Sequence, residues 1–506
     1  MRRASKHAVE GTILDFSNFS GGLNLRMAPE DIAQNELAEC KNMTYSSQPG
    51  RLRTRSGVGL PLHTFGAPID AMYWHSGELL VAAGGTLYKY TPSAVASAPG
   101  AVSQVGTLSG SIRPQFCVFG TEVFVASGGK LQKYDGSALT TVTDSPEHVA
   151  GLYARAGRLF CFETDSDVLR GSAVGDASRW TIPSSATDAD PCETQIGYKV
   201  AGNIVAAVPS LTNVIFFKDR ATFRLVGEYP EWKIVEISRD EEIANRDTAA
   251  NVAGYLFYLE KSKGMRLLQG TDGYEEIAPG DALMRVNPWL RDKMIDTWAR
   301  VWNLRGRNIL LVSAGKNTLL PVYYEYGITS MPALMWEFYG DVRDVAEPDR
   351  DNLYIAIGAN LHDFSGRTSE DYNSAAGSHL SPVSCSFSTK KIIGASEFLT
   401  KRLGISANSL NLLMNAVSDE PLRISVAGVP LMNVIFKVDE SPYIYDDTRF
   451  IYDNEDYVWG GLQTYQDFYT HNVLRSKYVQ VCFESSGVPF QLTRFTLETV
   501  PVGVVS

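Results

Sequence analysis

GELLVAAGGTLYKY, residues 77–90, and TEVFVASGGKLQKY, residues 121–134, agree at eight of fourteen positions, and NLYIAIGANLHDF, residues 352–364, aligns without a gap to the first from Glu78 onward. In the first two copies an unbroken apolar run of strand length meets paired glycines, Gly84-Gly85 and Gly128-Gly129. Such a run reads as a strand covered by protein on both faces. The glycines supply the positive φ of a tight hairpin, and Leu87-Tyr88-Lys89-Tyr90 returns as an alternating strand. One such hairpin cannot hide its apolar surface from water. Copies arranged around an axis cover both faces of each sheet and leave only short edges, so an internal repeat of this content predicts a β-propeller.

Diverged copies stand at Gly157-Arg158-Leu159-Phe160-Cys161-Phe162, Asn213-Val214-Ile215-Phe216-Phe217, Gly254-Tyr255-Leu256-Phe257-Tyr258-Leu259 and Arg307-Asn308-Ile309-Leu310-Leu311-Val312. Anchored on Val81, Val125, Cys161, Phe216, Phe257, Leu311 and Ile355, the seven copies are spaced 44, 36, 55, 41, 54 and 44 residues apart. That is the length of a four-stranded blade, and the expected fold is an all-β propeller of six or seven blades. The alternative is a β-sandwich or barrel with irregular loops.

Composition agrees with a large β protein. The chain has 506 residues, 44% hydrophobic and 11% aromatic, with 43 glycines, so core material and turns are both plentiful. No run of eighteen apolar residues suggests a membrane span. The opening MRRASKHAVEGTILDF has basic residues with no apolar core behind them, which argues against a secretory signal. Six scattered cysteines include no C-x-x-C pair, so they read as reduced core residues of a protein made in a reducing cytoplasm rather than as a zinc site. A net charge of −11 weakens any reading in which the whole surface grips nucleic acid, since phosphate binding leaves a basic footprint.

Three regions follow. Residues 1–66 form an entry segment: a strand at Thr12-Ile13-Leu14-Asp15-Phe16, a loop through Gly21, Gly22, Leu23 and Asn24, then a short helix. The helix is expected from near Pro29 to Asn42, since proline and acidic residues suit a helix start. Next, Arg51, Arg53 and Arg55 alternate at period two, which on one strand puts three guanidinium groups on one face, a docking stripe for an acidic partner or a solvated face. Residues 67–366 are the propeller. Residues 367–506 form a C-terminal β-sandwich-like module, with strands expected at 422–431, 478–483 and 490–497. Within it YIYDDTRFIYDNEDYVWGG, residues 443–461, combines aromatics (Tyr443, Tyr445, Tyr452, Tyr457, Trp459) with carboxylates, a candidate partner-contact loop. Its carboxylates lack the offsets of a calcium loop, so no metal is assigned.

Catalytic signatures are missing. Seven histidines form no HExxH, and neither a GxSxG elbow nor a GxxxxGK[ST] loop occurs. The stretch Ser172-Ala173-Val174-Gly175-Asp176-Ala177-Ser178-Arg179-Trp180 holds the ingredients of the S-x-D-x-G-x-x-W turn of sialidase-like propellers in the wrong order. These patterns nominate no catalytic residue and no cofactor site.

The opening FSGGLNLRMAPEDIAQNELAECKNMTYSSQPGRLRTRSGVG, residues 19–59, resembles the start of bacteriophage tail proteins in which a GGLN turn, a short helix ending in asparagine and a strand ending in R-x-G precede a propeller. NVIFFKDRATFRLVGEYPEW (213–232) and ANRDTAANVAGYLFYLEKSKGMRLLQG (244–270) are similar to blades of the tail nozzle of short-tailed phages, tail tubular protein B. The ending FESSGVPFQLTRFTLETVPVG (483–503) is similar to the closing strands of related tail proteins. The resemblance implies a structural virion protein, assembled in the host cytoplasm. Such a protein forms a homo-hexameric nozzle below a ring of adaptor proteins and beside tail fibres, retains the genome, and conducts DNA without sequence-specific binding. It carries over Gly21, Gly22, Leu23, Asn24 and Asn42 as structural parts of the entry segment, and makes that segment, with Arg51, Arg53 and Arg55, the candidate assembly interface. Six chains at −11 carry −66, and an acidic lumen lets phosphates slide past. The insert at 443–461 and the modest length depart from the family. Two alternatives stay open: a carbohydrate-binding or carbohydrate-cleaving propeller acting as a receptor-binding tail component, its aromatics stacking on sugars, and a cytoplasmic scaffold propeller.

Overall fold

The computed structural model describes residues 12–46, 50–93, 99–210, 212–271, 278–313, 315–328, 330–366, 368–376, 379–410, 420–436, 466–471 and 474–501. The chain divides into two compact units, one of Pro61–Met331 with Phe338–Ser365, the other of Met1–Leu60, Pro332–Glu337 and Gly366–Ser506.

The first unit is a propeller of seven blades, since the structure contains seven four-stranded sheets. Their inner strands are Ile69–His75, Gln115–Phe119, Val149–Arg155, Ile204–Pro209, Ala249–Val252, Arg300–Leu304 and Val342–Ala346. The second strands are Glu78–Ala83, Glu122–Ala126, Arg158–Glu163, Asn213–Lys218, Tyr255–Glu260, Ile309–Ser313 and Tyr354–Ile357. All seven repeat anchors lie on second strands, and each is 0% exposed. The reason is visible in blade 1. Leu79, Val81 and Ala83 pack with Tyr354, Ala356 and Leu361 of blade 7. Leu80 and Ala82, pointing the opposite way on the same strand, pack with Val123 and Val125 of blade 2. The pattern repeats around the ring: Phe124 and Ala126 meet Leu159 and Cys161, and Phe160 and Phe162 meet Val214 and Phe216. Ile215 and Phe217 then meet Leu256 and Tyr258. A strand between two neighbouring blades has no solvent face, which is why its sequence runs apolar without alternation.

Turn chemistry sets the hairpins. Ala83 pairs with Thr86, leaving Gly84 and Gly85 as a two-residue loop with φ of +57° and +74°. Positive φ at both positions makes the turn twist with its strands. The ring closes by a non-local pairing: His63–Thr64, which precede blade 1, form the outer strand of blade 7 against Asn360–Asp363. On the inside, the first strands of blades 7 and 1 run beside each other.

The second unit is a β-sandwich, and the entry segment is part of it rather than a region of its own. One sheet has seven strands. Phe490–Pro501 lies between Ile392–Ser409 and Leu52–Thr54, and also pairs with Thr12–Phe16. The other sheet runs in the order Gly22–Leu23, Glu36–Lys41, Cys385–Thr389, Val481–Ser485, Leu422–Val426, Val429–Val434. Aromatic side chains fill the space between the sheets. Phe16 stacks on Phe495 at 4.5 Å, Phe387 on Phe483 at 4.6 Å, and Phe483 reaches Phe495 at 5.1 Å.

Several sequence expectations change here. The helix expected from Pro29 to Asn42 does not form; residues 26–35 are turns, and Glu36–Lys41 is a strand paired with Cys385–Thr389. The only α-helix among the described residues is Asn287–Lys293. The strand expected at 422–431 is a hairpin, Leu422–Val426 and Val429–Val434, folded at Ala427 and Gly428, both of positive φ. Residues 478–483 are shared between Leu474–Val479 and Val481–Ser485, which belong to different sheets. No helix among the described residues is long and apolar enough to cross a membrane.

Candidate functional site

In the sandwich unit, the residues singled out from the sequence gather at two nodes. Gly21 and Gly22 sit where the chain squeezes past its neighbours. A Cβ on Gly21 would lie 2.6 Å from Glu36 Cγ and 2.8 Å from the Asn35 carbonyl oxygen, and one on Gly22, at φ +68°, 2.9 Å from the Ala333 oxygen. Leu23 is buried and its N–H donates to Ala333 at 2.8 Å. Asn24 Nδ2 donates to Glu36 Oε2 at 2.8 Å, while its Oδ1 accepts from the N–H groups of Arg26 and Met27. Glu36 Oε2 also accepts from Ala33 N. The Glu36 carboxylate is thus consumed in holding the turn.

Asn42 is the second node. It has φ +54°, a conformation that asparagine tolerates better than most residues. Its N–H donates to Met335, its Nδ2 to Ser384, and its Oδ1 accepts from Glu337 N at 2.7 Å and from Arg55 Nε at 2.9 Å. Arg55 is 1% exposed and forms a bidentate ion pair with Asp371, at 3.0 and 2.5 Å. Its remaining N–H groups donate to the carbonyls of Ser56 and Glu337. The three-arginine stripe therefore does not exist as a surface feature: the strand covers only Leu52–Thr54, Arg51 and Arg53 are half-buried, and Arg55 is an internal cation. Tyr443, Tyr445, Tyr452, Tyr457 and Trp459 lie outside the described residues.

The propeller holds a charged hub that sequence reading missed. The inner strands run parallel around the axis, so their N-terminal ends share one mouth. There Arg113, Arg246, Arg300 and Arg343 meet Asp70, Asp247 and Asp344. Arg113 pairs with Asp247 at 3.2 Å and with Asp344 at 3.0 Å, and its Nη1 also donates to the Asp70 and Arg343 carbonyls. Arg343 pairs with Asp70 at 3.1 Å. Asp344 further accepts from Met72 N at 2.6 Å, Trp302 Nε1 at 2.7 Å and Val345 N at 2.9 Å. Arg246 donates to the Ala150 carbonyl and lies 3.7 Å from Asp247. Six of the seven blades are tied across the axis by these contacts.

The electrostatics follow from burial and pairing. Burial disfavours the charge of Arg113, yet Asp344 and Asp247 outweigh it and raise its pKa. Burial also works against ionised Asp247, but Arg246, Arg113 and Arg300 hold its carboxyl below the usual range. Arg246 is lowered by burial despite Asp247. A signal for these residues exists in the sequence. Each charged hub residue stands ten to twelve positions ahead of its blade's apolar anchor: Asp70 before Val81, Arg113 before Val125, Arg246 and Asp247 before Phe257, Arg300 before Leu311, Arg343 and Asp344 before Ile355.

Beyond the hub, toward the other mouth, a cavity of about 510 Å³ is lined by Ala250, Asn251, Trp302, Asn303, Arg305 and Glu347 among others. Burial pushes the Glu347 carboxyl above its ordinary pKa, against the pull of the Gly306 N–H and Arg307. The misordered turn at 172–180 is structural: Asp176 Oδ1 accepts from Ser178 N at 2.9 Å, and Trp180 packs between blades 2 and 3 with its Nε1 donating to Ala177.

No protein-family model matches the chain, and no curated protein matches it. Solved structures similar to it include PorZ, a surface component of the type-IX secretion system of Porphyromonas gingivalis (12% identity, TM-score 0.39, 61% of this chain and 37% of that one). Others are the extracellular domain of a putative hybrid two-component system of B. thetaiotaomicron (9%, TM-score 0.44, 78% and 56%) and the WD40 β-propeller domain of Doa1 (10%, TM-score 0.39, 61% and 95%). The chain thus spans well under two thirds of the first two. The propeller assignment rests on the strand pairing described above.

Proposed function

We propose that this chain is a structural, non-enzymatic protein of a short-tailed bacteriophage tail, a nozzle subunit that acts as a homo-hexamer below the adaptor ring. The observation that carries this reading is that the positions behind the sequence resemblance, Gly21, Gly22, Leu23, Asn24 and Asn42, are those whose backbone and amide groups hold the sandwich together and tolerate no ordinary side chain or partner loss. A motif of that kind serves architecture. The hub supports the same reading in a different way. Side chains of six blades cross the propeller axis, and on this reading DNA passes between subunits rather than through a propeller. Closing such a ring requires a heterologous interface, in which two different faces of each subunit meet.

The test is mass spectrometry of purified virions encoding the chain, with immunogold labelling and class averages of the tail. The expected result is about six copies per particle at the tail end, and loss of packaged DNA from particles made without the protein. Absence from virions, or full DNA retention without it, would sink the proposal.

A further inference from the structure

The hub is not charge-balanced. Four guanidinium groups face three carboxylates, and the surplus falls on Arg300. Arg113 has Asp247 and Asp344, and Arg343 has Asp70. Arg246 is 3.7 Å from Asp247 and donates to Ala150. Arg300 is left with a carboxylate oxygen at 3.9 Å, on Asp247, which two other arginines already share. Its Nη1 donates to the Ala299 carbonyl at 2.6 Å, and its buried Nε has no hydrogen-bond partner among the described residues. A buried donor without a hydrogen bond and a buried cation short of counter-charge are both costly. Burial and the nearby Arg113 push the Arg300 pKa down to about 10, the direction expected of a cation short of negative charge.

Arg300 borders a cavity of about 250 Å³, lined also by Asp70, Arg113, Thr297, Trp298 and Arg343. Three of these side chains are cationic and one is anionic, and the anionic one is already held by Arg343. The positive field extends to the Trp298 indole, where the Arg343 guanidinium lies 4.7 Å and the Lys316 ammonium 5.0 Å from the ring centroid. The cavity thus combines a partly open recess, excess positive charge and an N–H donor without a hydrogen bond among the described residues, which together suit an anion with several acceptor oxygens.

We propose that this axial cavity is a binding site for a small oxyanion, phosphate or a carboxylate, whose oxygen accepts from Arg300 Nε and whose charge completes the hub. The site is independent of the tail reading, and its occupant would act as a pin linking blades 1, 2, 6 and 7. The experiment uses the full chain dialysed free of oxyanions and titrated calorimetrically with inorganic phosphate at constant ionic strength, with sulfate, acetate and chloride as parallel arms. One saturable site per chain is expected. Tighter phosphate and sulfate than acetate would identify a tetrahedral anion, and the reverse order a carboxylate. Arg300→Gln should weaken phosphate at least tenfold while melting no lower than the parent chain in oxyanion-free buffer, because it removes an unbalanced charge. Arg239→Gln, on an exposed arginine paired with Glu236, should bind as the parent does. If Arg300→Gln fails to fold, Arg300→Lys keeps the charge, loses the Nε donor, and is expected to bind several-fold more weakly. The proposal is overturned by absence of a saturable site, by chloride acting as well as phosphate, or by folded Arg300 variants binding within twofold of the parent.

Discussion

Replacing Asp371 by leucine should be among the most damaging single changes in the sandwich unit. The carboxylate supplies both oxygens of a bidentate pair to Arg55, a residue with 1% exposure that also donates to Asn42 Oδ1 and to the Ser56 and Glu337 carbonyls. Removing it takes the bidentate carboxylate away from a buried guanidinium, and breaking a buried pair from one side costs about 3–5 kcal/mol. Removing both charges together is different in kind. In Arg55→Met/Asp371→Leu no ion is stranded, and Asn42 Oδ1 keeps the Glu337 N–H, so the main loss is the donors to the Ser56 and Glu337 carbonyls, about 1–3 kcal/mol. The double variant should therefore be more stable than Asp371→Leu alone. Urea unfolding measures the free energies, and hydrogen exchange of peptides covering 36–57 assigns the loss to this unit. A cost below about 1 kcal/mol for Asp371→Leu, or a double variant that loses the sum of the two singles, would refute the assignment of Arg55 as a buried, charge-paired node.

The hub should respond to acid. Asp247 has a folded pKa held below its unfolded value, so its contribution is fully present above the unfolded carboxylate pKa, about 4, and is lost as pH falls through the folded value; the propeller melting transition should stay flat from neutral pH to about 5 and drop below 4, less steeply in Asp247→Asn. Asp344→Ala removes the shared acceptor of Met72 N, Trp302 Nε1, Val345 N and Arg113, and should cost the propeller about 3–5 kcal/mol in urea unfolding. Gly57→Ala places a Cβ 2.0 Å from the Glu370 carbonyl oxygen, a backbone atom that cannot swing aside, and a loss of about 1–3 kcal/mol is expected by the same method. Alkylation should report the cysteines: burial pushes Cys40 to about 12 and Cys117 and Cys385 to about 11, so iodoacetamide at pH 8 should label at most the half-buried Cys117 and Cys482 in the native chain and all six in denaturant, as counted by intact-mass spectrometry.

What the sequence by itself determined is the part of the fold written in local and repeated terms. The apolar runs around Val81, Val125, Cys161, Phe216, Phe257, Leu311 and Ile355 mark second strands because a strand between two blades must be apolar on both faces, and Gly84-Gly85 mark a hairpin because both turn residues need positive φ; at Gly128-Gly129 only Gly128 adopts it, and Val125 pairs with Gln132 across a longer loop. What only the tertiary structure decided depends on pairings between distant residues. Seven blades rather than six follows from the strand pairing, which makes a separate sheet of each repeat, and the ring closes when His63–Thr64 complete the last sheet some three hundred residues away. Proline and acidic residues at 29–31 favour a helix start, but the edge offered by Cys385–Thr389 binds Glu36–Lys41 as a strand, and burial of Leu37, Ala38 and Cys40 outweighs local propensity. The same long-range closure turns Arg55 inward to Asp371. The hub shows both limits at once: its charges stand ten to twelve positions before five of the seven anchors, yet that they neutralise one another, and leave Arg300 unbalanced, becomes visible only when the ring brings the inner strands to one axis.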